Sequence, residues 1–265
     1  MYSINNLFSI SGQNIIVTGA AGQLGSEIIN LLLDLGANVT ASDLSLDDLT
    51  LQANKNSWNK KKVFLYQCDI SIKDQVVNLI DSTDKKFGEI SSIIANAGVS
   101  VFEPFLERPV SSIDHVMDVN LKGTILCAQQ FVKYRKNKTN TKSSIVLIGS
   151  HYGQVSPDPR IYTDLDRKNS EIYGATKAGI IQLAKYYAVH ASEFNVRTNV
   201  VSPGGILNEQ NPQGSDFQKN YSNRCPMGRM ALKQDIMGAI LFLISPSSNF
   251  ITGQNISVDG GFTSW

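Results

Sequence analysis

A chain of 265 residues with a net charge of +1 and 42% hydrophobic residues can bury a substantial core without disulfides or a structural metal. Its near-neutral charge and lack of a long basic run argue against binding to nucleic acid or to a membrane surface. The three cysteines are scattered, and we find neither a secretory signal nor an apolar run of ~18 residues. We therefore expect a soluble cytoplasmic protein without a metal site.

Short apolar or β-branched runs alternate with helical patterns along the whole chain. Predicted strands lie at 14–18, 38–42, 63–67, 92–95, 144–149, 196–201 and 255–258. Predicted helices lie near 22–36, 46–57, 72–87, 112–137, 171–193 and 233–244. Three of these helices have a serine followed three residues later by an aspartate, a pattern typical of a helix start: Ser45, Ser71 and Ser111.

This alternation is typical of one α/β domain, and we assign residues 1–265 to it. Apolar strands separated by helices predict a mainly parallel sheet covered on both faces. Right-handed crossovers then give a seven-stranded, doubly wound, three-layer fold of the Rossmann type. Such sheets bind ligands beyond the carboxyl ends of their strands.

Two segments depart from the alternation, and each follows a predicted strand. Residues 151–170 are polar and contain two prolines, and residues 204–230 are rich in Gly, Asn, Gln and Pro. Loops this long in a compact domain are usually functional or mobile. We therefore predict that both segments form the substrate side of a site at the carboxyl edge.

A glycine-rich turn, TGAAGQLG (18–25), joins the first predicted strand to the first helix. Glycine at 19, 22 and 25 permits a tight turn, close approach of a phosphate, and close packing of helix on strand. A pyrophosphate would then lie at the helix N-terminus. The alternative is a plain turn without a ligand. The candidate cofactor contacts here are Gly19, Gly22, Gln23, Leu24 and Gly25.

Asp43 ends the second predicted strand, 24 residues beyond Gly19. A carboxylate there can accept hydrogen bonds from both hydroxyls of an adenosine ribose. No Lys or Arg occurs between Thr18 and Asn54, whereas five acidic residues do. A 2′-phosphate would be repelled, so the sequence favours NAD over NADP. Alternatively, Asp43 only caps a turn beside Leu44.

The ends of the third and fourth predicted strands carry further cofactor candidates. Asp69, next to Ile70, is placed to meet an adenine amino group, or else belongs to a turn before Ser71. In ANAG (95–98) the small residues would let the backbone lie against a cofactor. Asn96 is alternatively a turn residue. The candidates from these two strands are Asp69, Ile70, Asn96, Ala97 and Gly98.

Tyr173 and Lys177 are four residues apart on one predicted helix, so their side chains can share a site. An adjacent ammonium, helped by the positive charge of a nicotinamide, stabilises a phenolate and lowers the pKa of the phenol. Ser150, at the end of a strand, would hydrogen-bond a substrate oxygen, and Asn120 would hold a water that links Lys177 to solvent. Each residue alone has an ordinary structural explanation. Together they predict proton transfer to or from an alcohol oxygen.

These four residues, with RTNVVSPGG (197–205) and ITGQNISVDGG (251–261), resemble the short-chain dehydrogenase/reductase family in its compact single-domain branch. The resemblance covers almost the whole chain. It implies NAD(P)-dependent alcohol oxidation or ketone reduction, with Tyr173 and Lys177 also contacting the cofactor. It implies a loop shaped by Pro203 and Gly204, and a contact between the backbone of Ile206 and the nicotinamide. It further implies a homotetramer or homodimer, joined through the long helices and the C-terminal strand.

Three features depart from the family pattern. The glycine spacing is closer to that of the sugar-epimerase branch, and Ser150 and Tyr173 are 23 residues apart instead of about a dozen. Asn208 stands where a threonine often contacts the cofactor. Tyr162 is 12 residues after Ser150, but Asp166 occupies the position where a lysine would be needed. Tyr173 is therefore the predicted acid–base residue.

The predicted substrate loops are polar, which favours a sugar, a sugar phosphate or a nucleotide sugar. SHYG…PDPRIY and PMGRMA…DGGFTSW resemble bacterial family members associated with surface-sugar synthesis. The principal candidate substrate contacts are His151, Tyr152, Arg160 and Asn208. Further polar candidates are Gln154, Gln210, Arg224 and Arg229.

Other functions remain open at this point. The glycine spacing allows an epimerase or dehydratase that retains NAD, although such proteins usually have a larger C-terminal substrate domain. A 3-oxoacyl-type reductase fits the fold, but Asp43 disfavours its NADPH. A non-enzymatic NAD-binding sensor would usually have lost one of the four site residues.

Overall fold

The computed structural model describes residues 4–138, 141–163, 169–208 and 213–265. Within these ranges one sheet contains β1 (Asn14–Thr18), β2 (Asn38–Asp43), β3 (Val63–Gln67), β4 (Ser92–Ala95), β5 (Ser143–Ile148), β6 (Val196–Pro203) and β7 (Asn255–Val258). The strands are ordered β3-β2-β1-β4-β5-β6-β7, and every neighbouring pair is parallel. The predicted doubly wound parallel sheet is confirmed.

The described helices are α1 (Ile4–Leu7), α2 (Gln23–Asp34), α3 (Leu46–Lys55), α4 (Lys73–Phe87), α5 (Val110–Val116), α6 (Thr124–Lys136), α7 (Glu171–His190), α8 (Ser215–Arg224) and α9 (Lys233–Ile244). A π-helical turn, Met117–Gly123, joins α5 to α6. The single helix predicted at 112–137 therefore begins two residues earlier and contains a widened turn. Helix α8 was not predicted, because we assigned its residues to a loop. None of the described helices combines the length and the apolar character that crossing a membrane requires.

The five inner strands are buried on both faces because helices cover the sheet from either side, whereas the edge strands β3 and β7 are half-buried. Ile15 and Val17 pack in the cluster that contains residues of α2 and α9. Ile16, between them, packs in the cluster that contains residues of α4, α6 and α7. This alternation follows from the two-residue period of a strand, and it explains the continuous apolar runs in the sequence.

The order of the strands places the ligand crevice. The chain runs outward from β1 through β2 to β3, and then returns to β4 on the other side of β1. Such a reversal opens a crevice at the carboxyl ends of the two adjacent strands. Asp43 ends β2, Asn96 directly follows β4, Ser150 follows β5 and Pro203 ends β6. These residues therefore share one edge of the sheet.

One of the three predicted helix starts is confirmed. Ser45 Oγ accepts a hydrogen bond from the Asp48 N–H at 3.1 Å at the start of α3. Ser71 does not cap α4, because its hydroxyl donates to Asp69 and the helix starts after Ile72. Ser111 lies inside α5, which starts directly after Pro109.

Candidate active site

The glycine-rich turn between β1 and α2 is pressed against the segment that follows β4. Gly19 has a φ of +64°, and a Cβ at this position would lie 2.6 Å from the Cα of Ala97. A Cβ on Gly25 would collide with the carbonyl oxygen of Gly19. No side chain caps the N-terminus of α2, which begins after Gly22. The cradle and the exposed helix N–H groups therefore fit a phosphate group.

Two side chains beside this turn face the substrate segments. Gln23 donates its amide N–H to the carbonyl of Leu207 at 2.6 Å, and Leu24 lines the main cavity. The turn is thus tied directly to the loop that follows β6.

Asp43 lies next to the same turn. Its Oδ2 accepts from the Ala21 N–H at 2.9 Å, and its Oδ1 accepts from the Leu44 N–H at 2.8 Å. Through these two bonds Asp43 caps the turn, which is the alternative role given to it above. Each carboxylate oxygen retains a lone pair that can accept a further hydrogen bond.

Asp69 and Asn96 both make local contacts. Asp69 Oδ1 accepts from the backbone N–H and the hydroxyl of Ser71, at 2.9 and 2.7 Å, as a turn residue would. Ile70 is buried and packs beside Gly123. Asn96 donates to the carbonyls of Thr18 and Gly19, both at 3.0 Å. Asn96 therefore fastens the end of β4 to the glycine-rich turn.

Ser150, Tyr173 and Lys177 line one cavity of about 400 Å³ at the carboxyl edge. Lys177 Nζ donates to the carbonyl of Ile148 at 2.8 Å and lies 5.6 Å from the centroid of the Tyr173 ring. Ser170 caps α7 through the Tyr173 N–H at 3.2 Å, which fixes the first turn of the helix that carries the phenol. The structure thus brings together three of the four predicted catalytic side chains in one cavity.

Burial dominates the electrostatics of this pair. It lowers the pKa of Lys177 to about 8. Burial also raises the pKa of Tyr173 above its ordinary value, and a hydrogen bond with Ser150 opposes that rise. The expected lowering of the Tyr173 pKa by Lys177 is therefore not seen, because the ammonium donates to a backbone carbonyl and the desolvation of the phenolate is larger.

Asn120 lies in the π-helical turn and is fully buried. Its side chain accepts from the Val99 N–H at 2.8 Å and donates to the Val99 carbonyl at 2.9 Å. Gly98 lies beside both Asn120 and Lys177. Asn120 therefore holds the loop after β4 against the catalytic helix, and its predicted contact with a water stays a prediction.

His151 and Tyr152 also line the cavity. His151 Nδ1 lies 3.1 Å from the carbonyl oxygen of Pro203, which can only accept, so Nδ1 carries the proton. Burial lowers the pKa of His151 to about 4, which keeps the ring neutral. Its Nε2 is buried without a hydrogen-bond partner. The Tyr152 hydroxyl pairs with that of Tyr162 at 2.8 Å.

The other predicted substrate contacts do not line this cavity. Arg160 pairs with Asp158, Gln154 pairs with Ser257, and Arg229 pairs with Asp235. Arg224 stacks on Phe262 and Trp265, and Asn208 lies outside the lining. Gln210 lies outside the described residues. A nearby acid or ring thus holds each of these arginines outside the described lining, and their predicted contacts with substrate stay predictions.

The described lining is instead largely apolar and aromatic, and Lys177 is its single cation. The sequence analysis missed the residues that make it so: Phe102, Phe217, Tyr221 and Met230. Tyr221 accepts from the Gly205 N–H at 2.6 Å and so braces the loop after β6. Phe217, Tyr221 and Cys225 recur every fourth residue, a helical signal that the surrounding polar residues obscured.

Residues 19–263 match a family model described as enoyl-(acyl carrier protein) reductase. The chain is 31% identical to the NADH-dependent L-xylulose reductase of Ambrosiozyma monospora, over 97% of each protein. It is 31% identical to the 3-oxoacyl-[acyl-carrier-protein] reductase of Thermotoga maritima, over 95% of this chain and 98% of that protein. A short-chain dehydrogenase from Leptospira borgpetersenii, solved with bound NAD+, superposes with a TM-score of 0.87. That protein is 35% identical, and the match covers 99% of this chain and 97% of the other.

Proposed function

Because this chain belongs to the short-chain dehydrogenase/reductase family, we propose that it interconverts an alcohol and a ketone on a sugar or sugar alcohol, with NAD as its cofactor. The observation that carries the proposal is the cavity at the carboxyl edge, where Ser150, Tyr173 and Lys177 meet beside the glycine-rich turn. The family is one of oxidoreductases that act on CH–OH groups.

Each residue of the site has a role in this proposal. The Tyr173 hydroxyl exchanges a proton with the substrate oxygen, and the Ser150 hydroxyl orients that oxygen. The ammonium of Lys177, together with the positive charge of a bound nicotinamide, would stabilise the phenolate, and Asn120 holds the adjacent loop. The dinucleotide, held by the residues of the glycine-rich turn and by Asp43, supplies or accepts the hydride. Ser150 and Tyr173 would therefore act on the substrate oxygen, and the glycine-rich turn and Asp43 would hold the cofactor.

NAD is favoured over NADP by the charges around Asp43. The carboxylate occupies the place where a 2′-phosphate would lie, and no cation occurs between Thr18 and Asn54. Two proteins that resemble this chain are described with NADH or NAD+.

The cavity lining favours an unphosphorylated substrate. Phosphate groups are usually held by arginine in a bidentate manner, and no arginine is among the described lining residues. The lining does offer hydroxyl and amide side chains. Of the three predicted substrate classes, these features favour a free sugar or sugar alcohol over a sugar phosphate or a nucleotide sugar.

A second candidate is the reduction of a 3-oxoacyl thioester. It is favoured by the likeness to the Thermotoga maritima protein and by the apolar side chains of Phe102, Phe217 and Met230 in the cavity. A panel of pentuloses, pentitols, their phosphates and an acetoacetyl thioester separates the two functions. Turnover confined to the thioester would replace the sugar proposal with this one.

The cofactor assignment is tested by steady-state kinetics with both dinucleotides. We expect kcat/KM with NADH to exceed that with NADPH by at least about tenfold, because a desolvated carboxylate beside a 2′-phosphate costs more than about 1.4 kcal/mol. In the Asp43→Asn variant we expect kcat/KM with NADH to exceed that with NADPH by a smaller factor. Comparable values for the two cofactors in the unmodified protein would contradict the assignment.

The acid–base role is tested with Tyr173→Phe. We expect kcat to fall by about 10²–10⁴, the usual contribution of a positioned general acid–base group, while NADH binds with nearly unchanged affinity. Tyr186→Phe is the matched control, because Tyr186 lies on the same helix and is largely exposed. Substantial turnover by Tyr173→Phe would refute the role.

A further inference from the structure

A second cavity, of about 510 Å³, lies on the far side of α8 from the catalytic cavity. Phe217 and Tyr221 of α8 line the catalytic cavity, whereas Asn220, Asn223 and Arg224 of the same helix line the second. The two cavities share no lining residue. The remaining lining residues of the second cavity are Asp158, Arg160, Ile161 and Trp265.

Arg224 is held rigidly in this cavity. Its guanidinium lies 4.9 Å from the centroid of the Phe262 ring and 5.1 Å from that of Trp265. Its Nη2 donates to the main-chain oxygen of Trp265 at 2.6 Å. Its Nη1 has no partner among the described residues and is closed off from solvent. Two rings and one hydrogen bond therefore fix Arg224 at one wall of the cavity.

The charged side chains that line the cavity are one aspartate and two arginines. Asp158 accepts from Arg160 Nε and Nη2, at 2.9 and 2.6 Å, and lies 3.9 Å from Arg224 Nε. One carboxylate thus faces two guanidinium groups. Asn220 and Asn223 add neutral amides to the same wall.

We propose that this second cavity binds a small phosphate monoester, with its phosphate between Arg160 and Arg224 and its organic part against the indole of Trp265. Guanidinium groups and amides that converge from α8 and from residues 158–160 suit the several oxygens of a phosphate. Trp265 is 72% exposed, so its ring face is available to a sugar or a base. An occupant would contact the helix whose other face lines the catalytic cavity.

Tryptophan fluorescence reports on this site directly. The protein has two tryptophans, and Trp58 is buried with its indole N–H donated to Asn30 at 2.7 Å. The titrants are glucose 1-phosphate and uridine monophosphate, which separate a sugar from a nucleoside, with glucose and inorganic phosphate as controls. We expect a saturable change with at least one of the two esters, absent from Trp265→Phe and much weaker with glucose.

Arg160→Gln tests the phosphate contact. Arg160 is largely exposed, so the variant should fold, and we expect it to weaken binding by about tenfold, as the loss of one charge-assisted hydrogen bond does. Arg229→Gln is the matched control, because that arginine pairs with Asp235 and lines neither cavity. Calorimetry provides a readout that does not depend on Trp265.

Three results would overturn the proposal. The first is that neither ester saturates the fluorescence change up to about 10 mM, a concentration well above weak millimolar affinity. The second is that glucose binds as tightly as glucose 1-phosphate. The third is that Arg160→Gln binds the ester as tightly as the original protein. All three are measured without a substrate of the enzyme, so they are independent of the proposed oxidoreductase function.

Discussion

At the scale of single residues, the site depends on a buried cation that pairs with no carboxylate of the described residues. Lys177 is 4% exposed, and its ammonium is held by the carbonyl of Ile148. Burial lowers the pKa of Lys177 and raises that of Tyr173, so it shifts both groups toward their neutral forms. The charged forms that proton transfer needs are thus sensitive to any charge that binds nearby.

The buried ammonium of Lys177 should make stability depend on pH in a defined window. Its pKa is about 8 in the folded protein and 10.5 when the chain is unfolded, so between these values the unfolded chain binds more protons. Stability therefore rises with pH across this window. Since one pKa unit is worth about 1.4 kcal/mol, the gain has an upper limit of about 3 kcal/mol.

Lys177→Met removes this titration and provides the comparison. We expect the free energy of unfolding of the original protein to rise, relative to that of Lys177→Met, between pH 8 and 10. Urea unfolding at a series of pH values measures the difference. A difference that does not change with pH would show that the pKa of Lys177 is the same in the folded and the unfolded chain.

The identity of the catalytic residues could be predicted, but their partners could not. Tyr173 and Lys177 share a helix face at a fixed spacing, so the sequence alone places them together. Arg160 was predicted to contact substrate, yet Asp158, two residues away, accepts two of its N–H groups. The free ring nitrogen of His151 depends on the Pro203 carbonyl, 52 residues away in sequence. Such pairings follow from the folded backbone, not from local pattern.

At the scale of elements, a buried arginine joins the loop after β4 to the start of the catalytic helix. Arg108 donates to Glu103 at 2.5 Å and to Glu171 at 3.0 Å, and its side chain is 2% exposed. The same loop presents Ser100 and Phe102 to the catalytic cavity. Arg108 therefore positions one wall of the cavity relative to α7, which begins at Glu171.

Arg108→Gln should loosen that wall. We expect KM for the substrate to rise by about tenfold with a smaller change in kcat, because the loop no longer holds the cavity in shape while Tyr173 and Lys177 stay in place. Affinity for NADH should change little. Steady-state kinetics and a separate cofactor titration measure the two effects.

Lys122→Gln is the control for loss of an ion pair. Lys122 pairs with Asp118 on an exposed helix face, where such pairs contribute about 0.3–0.5 kcal/mol. An equal effect of the two substitutions on KM would show that Arg108 acts only through general electrostatics.

The elements themselves differed in how well the sequence predicted them. Strands were placed to within two residues, because burial on both faces gives continuous apolar runs. The π-helical turn at Met117–Gly123 has no comparable pattern, and its course depends on Asn120 binding the Val99 backbone. Helix α8 is not predicted, although Phe217 and Tyr221 share its buried face and Cys225 follows directly after its end. Their apolar contacts are with Ile161 and Phe262, which come from distant parts of the chain.

At the scale of the whole molecule, the order of the strands brings the residues of the candidate site together. Asp43, Asn96, Ser150 and Pro203 come from four separate stretches of sequence, yet all lie at the carboxyl edge. This could be predicted because parallel strands with right-handed crossovers allow few arrangements. The apolar and aromatic lining of the cavity could not be predicted in this way. It depends on an aromatic cluster that joins residues near 161, helix α8 and Phe262.

The same molecule exposes apolar side chains where the sequence predicted subunit contacts. Val189, on the long helix α7, is 69% exposed, and Phe250, shortly before β7, is fully exposed. A tetramer with two kinds of interface would use both the surface around Val189 and the surface around Phe250. If one of these interfaces is lost, dimers that associate through the other interface should remain. We therefore expect Val189→Asp and Phe250→Asp each to convert a tetramer to dimers, and the double variant to give monomers.

Light scattering after size-exclusion chromatography measures these masses. Leu51→Asp is the matched control, because Leu51 is 64% exposed on α3, away from both predicted contacts, and should leave the mass unchanged. Dissociation should also lower the melting temperature and make it depend on protein concentration, since association stabilises only the folded chain. A monomeric parent protein, or a tetramer that survives both substitutions, would contradict assembly through these two surfaces.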